Sequence, residues 1–242
     1  MTALTDKRIG LVCIATGKYK KFVEPFTRSV STYFFKDNPV TAFLFTDKPN
    51  YAIPVVNIQI DYVGFPDVTL LRYNMFHKYK DLIISMVDYV FYSDIDMLFV
   101  DTVGPEILPE RQDEIVVVKH PGYWRGGGTW ETRSESMAYV APENRKEYFA
   151  GGFLGAETFD FFEMCKKIGN NVMKDKNRKI AAIWDDESHL QAYVVDKPKK
   201  VLSPSYCYPE LEENPPEWKI AVRENFKPII IALNKDHAQM RS

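Results

Sequence analysis

An α/β fold that binds a nucleotide at the carboxyl ends of its strands is what this sequence predicts, and three observations carry that reading. The first hundred residues alternate strand-like and helix-like patterns in the order β-α-β-β-α-β. The first strand, Arg8–Ala15, is a continuous apolar run, as in parallel strands buried on both faces. A later apolar run, Tyr89–Val100, carries two carboxylates, Asp94 and Asp96, in its middle.

Taken in order, the Arg8–Ala15 strand is ended by Thr16-Gly17. Between Lys20 and Phe35, Phe22, Phe26, Val30 and Phe34 recur at near-helical spacing with charge between them. Val40–Thr46 is a second apolar strand, closed by the turn-forming Asp47-Lys48-Pro49, and Val55–Ile60 is a third. From Asp67 to Val87, Leu71, Met75, Tyr79, Leu82 and Met86 trace an amphipathic helix, with Asp67 as its N-cap and Arg72 in its first turns.

The Tyr89–Val100 run follows. If it stays extended, alternation puts Asp94 and Asp96 on one face with Ile95 opposite. Neighbouring carboxylates repel, and burying them without a cation is costly. A hard divalent cation relieves the repulsion; Mg²⁺ or Mn²⁺ held by one or two carboxylates takes its other ligands from phosphate and water. Read locally, the stretch is either a metal–phosphate site at a strand end or a solvated Ser-Asp turn between two strands.

The second half is less regular. Ile115–Lys119 is a short strand running into the glycine- and tryptophan-rich loop His120–Trp130. Its indoles either stack on the apolar C–H faces of a sugar or cap the core. Tyr148–Ala156 is strand-like with Gly151-Gly152 at its centre, and glycine within a strand marks close approach by a ligand or another backbone. A helix from Thr158 to about Lys174 comes next. Asp185, Asp186 and Glu187 then suit a helix N-terminus, while the flanking Trp184 and His189 suit an active-site lining. A short strand, Ile229–Leu233, and a polar tail from Asn234 to Ser242 close the chain.

Composition narrows the class. Charged residues make up 26% and apolar residues 45% of 242 residues, as in an ordinary globular protein, and the net charge of −2 offers nothing to nucleic acid or an anionic membrane. Cys13, Cys165 and Cys207 are too few and too scattered for a disulfide framework or a zinc site, which fits a reducing compartment. Cys13, inside an apolar strand, reads as a small buried hydrophobe. Met1–Arg8 is polar with no apolar signal segment, and no window reaches the length of a membrane span. The expectation is a soluble, cytoplasmic protein of one domain.

In order along nearly the whole chain, a set of blocks resembles the sixth glycosyltransferase family. They are Ser93-Asp94-Ile95-Asp96-Met97, Val103–Leu108, His120-Pro121, Arg133–Tyr139, Gly151–Gly155, Trp184–Leu190 and Lys197–Pro204. Asp186-Glu187-Ser188-His189-Leu190 and Lys197-Pro198-Lys199-Lys200-Val201-Leu202-Ser203-Pro204 are the specific ones; a lone Asp-x-Asp would not be. The resemblance implies a single GT-A domain with a Rossmann-like nucleotide-sugar half and a mixed central sheet. Residues 8–100 would form the nucleotide-binding half, 101–233 the acceptor and catalytic half, and 234–242 a flexible tail. It further implies a retaining transferase of carbohydrate metabolism. Such an enzyme moves N-acetylgalactosamine or galactose from UDP-GalNAc or UDP-Gal to the 3-OH of a galactose-terminated glycan.

Carried over by position, Ile14, Ala15 and Tyr19 resemble the uridine contacts and Arg72 the arginine that reaches the donor. Asp94 and Asp96 resemble the pair that binds Mn²⁺ (or Mg²⁺) and the diphosphate; many bacterial members have Asn-x-Asn there and need no metal. Ala150, Gly151 and Gly152 resemble the stretch that gates donor choice, and Gly152 points to N-acetylgalactosamine. His120, Thr129 and Trp184 resemble acceptor contacts, Asp186 a donor-sugar contact and Glu187 the catalytic carboxylate. Lys235 and Arg241 match the tail that closes over the diphosphate. Three departures lie on the acceptor side: Asp185 replaces a common His, Tyr206–Pro209 lacks the usual Trp-Asp, and the loop Pro121–Gly128 is shortened. The missing anchor suggests a bacterial or viral source. Two other readings remain: a nucleotide-sugar binding protein without turnover, and a metal-dependent nucleotide phosphohydrolase. The second needs a further carboxylate–histidine cluster.

Overall fold

The structure, a computed structural model, describes residues 6–49 and 55–241, and for His237 and Arg241 the backbone alone. Met1–Thr5 of the polar N-terminal stretch, the Arg241 side chain and Ser242 therefore lie outside the described residues. The first half of the chain contributes β1 (Ile9–Ala15), α1 (Val23–Tyr33), β2 (Val40–Thr46) and β3 (Val55–Gln59). It continues with α2 (Asp67–Leu70), α3 (Arg72–Lys78), α4 (Lys80–Met86) and β4 (Tyr89–Ser93). The second half adds β5 (Met97–Phe99), β6 (Ile115–Lys119), β7 (Phe149–Glu157), α5 (Thr158–Asn177) and α6 (Asp185–Val194). It ends with β8 (Lys199–Leu202), β9 (Tyr208–Pro209), α7 (Glu217–Asn225), β10 (Ile230–Ala232) and α8 (His237–Arg241).

Seven strands form one sheet in the order β3-β2-β1-β4-β7-β6-β8. The first four are parallel, β7 runs antiparallel to both neighbours, and β8 pairs parallel with β6, so the sheet is mixed. A smaller sheet, β5-β10-β9, lies beside it. The apolar runs follow from burial on both sheet faces. In β1, Ile9, Leu11 and Cys13 enter the core cluster that includes Phe26 and Phe34 of the α1 region. Val12 points the other way, into the cluster with Phe76 of α3 and Phe161 of α5. Burial pushes the Cys13 thiol up to about 12, so it is a core hydrophobe, and all three cysteines are free and buried. Among the described residues no helix is long and apolar enough to cross a membrane.

Three elements differ from the sequence pattern. The helix expected from Lys20 starts at Val23, because Gly17–Phe22 form a 3-10 turn. The helix expected over Asp67–Val87 is three pieces, interrupted at Leu71 (φ −93°, ψ 3°) and Tyr79 (φ −107°, ψ 17°). Asp67 is not its N-cap: Pro66 holds that place, and the Asp67 carboxylate pairs with Lys176 Nζ at 2.6 Å. The break at Leu71 lets the buried Arg72 guanidinium satisfy the Thr69 carbonyl through Nε (3.2 Å). The third difference, at Asp94, shapes the site.

Candidate active site

At the carboxyl ends of β1 and β4 lies a pocket of about 440 Å³. Ile14, Tyr19, Arg72, Asp94, Asp96, Trp184, Asp186, Glu187 and Lys235 line it, together with Thr16, Gly17, Tyr62, Phe65, Tyr92 and Met240. Ala15 is fully buried in β1 and does not line the pocket; of that pair, Ile14 reaches it.

Asp94 and Asp96 do not share a strand face. The chain leaves the main sheet after Ser93, turns through Ile95 and Asp96, and re-enters as β5 in the other sheet. The Asp94 N–H donates to Gly152 O (2.8 Å), and the turn closes with Met97 N donating to Asp94 O (3.2 Å). The physical reason is repulsion: the buried Asp96 and the half-buried Asp94 turn toward different cations. Asp94 Oδ1 lies 3.2 Å from Arg72 Nη1 and accepts from the Tyr92 hydroxyl. Asp96 accepts from Lys235 Nζ, while the Asp96 carbonyl takes the Leu233 N–H (3.0 Å).

Asp186 and Glu187 lie in the first turn of α6, where acidic side chains suit the helix dipole. The Gln191 amide docks this helix on β7, accepting from Phe149 N (3.0 Å) and donating to Phe149 O (2.7 Å). That brings Glu187 Oε2 to 2.8 Å from the Gly151 N–H. Arg72 Nη2 donates to Asp186 Oδ1 at 3.2 Å; Nε is 3.0 Å from Oδ2, an ion-pair distance without hydrogen-bond alignment. Burial pushes Asp186 up to about 7 despite Arg72. Burial likewise pushes Glu187 up to about 7, with the Gly151 N–H opposing it. Asp96 is raised by burial and by Asp94, with Lys235 opposing.

Beyond Glu187 lies an aromatic cluster centred on Tyr148. Tyr148 packs edge-on against His120 (5.6 Å between centroids), Tyr123 (5.2 Å) and Trp130 (5.6 Å). Its hydroxyl is near Glu187 but makes no well-aligned hydrogen bond, so the Gly151 N–H is what holds that carboxylate. Burial lowers His120 to about 4, and its Nδ1 accepts from Gly122 N (3.0 Å), so the ring is neutral. Thr129 Oγ1 is 2.5 Å from the Tyr123 hydroxyl. The loop indoles face protein: Trp124 packs on Phe226 and Trp130 on Tyr148. Trp184, 55% exposed, is the indole presented at the pocket mouth. Ala150 is buried and pairs with Val118.

The C-terminal tail, expected to be flexible, is folded against this pocket. Residues 237–241 form α8, Met240 is buried in the lining, and Lys18 Nζ donates to Gln239 O at 2.8 Å. Lys235 lies 5.4 Å over the Tyr19 ring as it reaches Asp96. The residues that pattern reading missed are those acting through partners distant in sequence: Tyr92, Tyr148, Gln191 and Tyr62. Of these, Tyr92 carried a signal, standing two places before Asp94.

Carboxylate oxygens are the donors a hard divalent cation takes, and four carboxylates line this pocket. Asp94 and Asp186 meet Arg72, Asp96 meets Lys235 and Glu187 lines the same pocket, so acid exceeds base among them; burial first, and then the neighbouring acids, raise Asp96, Asp186 and Glu187. Among the described residues no three His, Cys, Asp or Glu side chains form a ready-made cage. A cation held by two carboxylates needs no such cage when phosphate and water complete its shell.

The chain matches the family model described as Glycosyltransferase family 6 over residues 1–241. It is 32% identical over 219 residues to the histo-blood group ABO system transferase 1 of Rattus norvegicus, covering 85% of this chain and 62% of that protein. Over 224 residues it is 32% identical to the globoside alpha-1,3-N-acetylgalactosaminyltransferase 1 of Gallus gallus, covering 86% and 64%. The chain thus spans somewhat under two thirds of these animal relatives. The O-antigen biosynthesis glycosyltransferase WbnI of Escherichia coli is 26% identical over 223 residues, covering 89% of this chain and 94% of that protein. The family match takes in every strand that builds the pocket, and the mixed seven-stranded sheet is of the GT-A kind; the chain belongs to glycosyltransferase family 6.

Proposed function

We propose that this chain is a retaining hexosyltransferase that moves N-acetylgalactosamine, or galactose, from a UDP-sugar to the 3-OH of a galactose-terminated acceptor. The observation that carries the reading is the placing of Glu187, pinned to the Gly151 N–H, in one pocket with Arg72, Asp94 and Asp96. Similarity to the globoside alpha-1,3-N-acetylgalactosaminyltransferase 1 of Gallus gallus supports the sugar class.

Each residue has a task in this reading. Breaking the sugar–phosphate bond leaves negative charge on the diphosphate, which Arg72 and Lys235 are placed to stabilise. Asp94 and Asp96 would hold a divalent cation, which would supply Lewis-acid charge neutralisation there. Positive charge develops at the anomeric carbon, and Glu187 is the carboxylate that stabilises it. Asp186, held by Arg72, takes hydroxyls of the donor sugar. Trp184, His120 and Thr129 receive the acceptor, with Trp184 offering its exposed ring face to a sugar.

The test is a screen of UDP-sugars against galactose-terminated glycans, read as UDP release and as glycosylated product. Transfer with retained anomeric configuration is expected from UDP-N-acetylgalactosamine or UDP-galactose. Glu187→Gln should keep donor binding and lose about 100-fold or more in kcat. Absence of transfer with every pair, or full activity of Glu187→Gln, overturns the reading.

A further inference from the structure

We infer that Tyr62 is a second nucleobase contact, closing on the uracil from the side opposite Tyr19; this rests on the UDP-sugar reading above. Tyr62 follows β3 and is 60% exposed, yet its ring lines the pocket and rests on Gly17, just beyond β1. Gly17 has φ +53°, a conformation that favours glycine, and a Cβ there would sit 2.8 Å from Tyr62 Cε2, so the bare backbone of Gly17 is what seats the ring. The seat is fixed, because Gly17 N donates to Asp47 Oδ1 (3.3 Å) and Asp47 is held by Lys20 (3.0 Å).

The order of groups across the sheet says which part of the ligand Tyr62 meets. Gly17 and Tyr62 lie at the carboxyl ends of β1 and β3, Asp94 follows β4, and Gly151 with Glu187 lies at β7. In the sheet these strands run β3-β2-β1-β4-β7. The step from β1 to β7 is two strand spacings, roughly 10 Å. With the diphosphate at Arg72 and Asp94 and the sugar at Glu187, the base end falls at β1, between Tyr19 and Tyr62. A flat apolar ring exposed there suits stacking on a π-face.

Calorimetric titration with UDP and with inorganic pyrophosphate separates a base contact from general damage. Tyr62→Ala should weaken UDP about tenfold or more and leave pyrophosphate affinity within about twofold, because base–aromatic stacking is worth that much. Tyr62→Phe, which keeps the ring, should bind UDP within about threefold of the wild type. Gly17→Ala, whose methyl displaces the ring, should repeat the Tyr62→Ala loss. Wild-type UDP affinity in Tyr62→Ala overturns the inference and leaves the transferase reading standing. Equal loss of UDP and pyrophosphate overturns it too. A wild-type protein that binds no UDP overturns both.

Discussion

Glu187 is a half-buried carboxyl held by one backbone N–H and faced by Asp94, Arg72 and the Tyr148 hydroxyl. Burial, more than any single charge, raises it to about 7. A carboxylate that must be ionised to stabilise an oxocarbenium-like centre gains activity as pH rises through that value. The kcat–pH profile should therefore have its acid limb near 7 rather than in the ordinary carboxylate range. A rate flat from about pH 5 to 8 would exclude Glu187 from that role. Gly152 is the second residue whose surroundings set an expectation: a Cβ there would lie 3.3 Å from Asp94 Oδ2 and 3.6 Å from Met97 Sδ. These atoms leave little room beside Gly152, so a methyl there crowds the Asp94 carboxylate; on the proposed N-acetylgalactosamine reading, Gly152→Ala should move the kcat/KM ratio toward galactose by roughly 10-fold. An unchanged ratio would place donor choice elsewhere. The residue types were legible in the blocks that resemble the family. Their distant partners were not: no local pattern shows that the Asp94 carboxylate meets Arg72, or that Gln191 ties α6 to β7.

At the scale of elements, the C-terminal segment behaves as part of the pocket wall. β10 pairs with β5, Leu233 N binds the Asp96 carbonyl, and Lys235 and Met240 complete the lining. Removing everything after Leu233 leaves β10 in place and strips the wall, so UDP affinity and kcat/KM should both fall by about tenfold or more while the fold persists. Equal kinetics in the truncated chain would show the tail to be dispensable. The candidate metal pair is an element property as well, since Asp94 and Asp96 both sit on the turn after β4 and the tail supplies the Lys235 that pairs with Asp96. Excess EDTA should abolish transfer and Mn²⁺ should restore it; undiminished turnover in EDTA would leave the diphosphate charge to protein cations such as Arg72 and Lys235. The α2–α4 region shows where periodicity misleads. Its apolar spacing is that of one helix, but a buried arginine that must turn into the pocket interrupts it.

Across the whole molecule, the mixed sheet is what places both halves of the site. β4 and β7 meet with Phe91 opposite Gly155, and a Cβ at Gly155 would overlap the Phe91 ring inside the core. Gly155→Ala should cost about 1–3 kcal/mol through overpacking and lower Tm by several degrees, measured by calorimetry. An unchanged Tm would mean that the core yields there.

The alternation of apolar strands and amphipathic helices is written locally, because burial on two sheet faces demands an uninterrupted apolar run such as Ile9–Ala15. The acids of the site, Asp94, Asp96, Asp186 and Glu187, are equally visible as blocks of residue types. Their arrangement was decided by contacts between distant segments. Like charges cannot share a buried strand face unless something neutralises them, so the chain breaks at Asp94 and each acid finds its cation: one from α3, the other from the last ten residues. Pairings across 22 and 139 residues leave no trace in local spacing, because they come into being only when the sheet brings β1, β4 and β7 side by side.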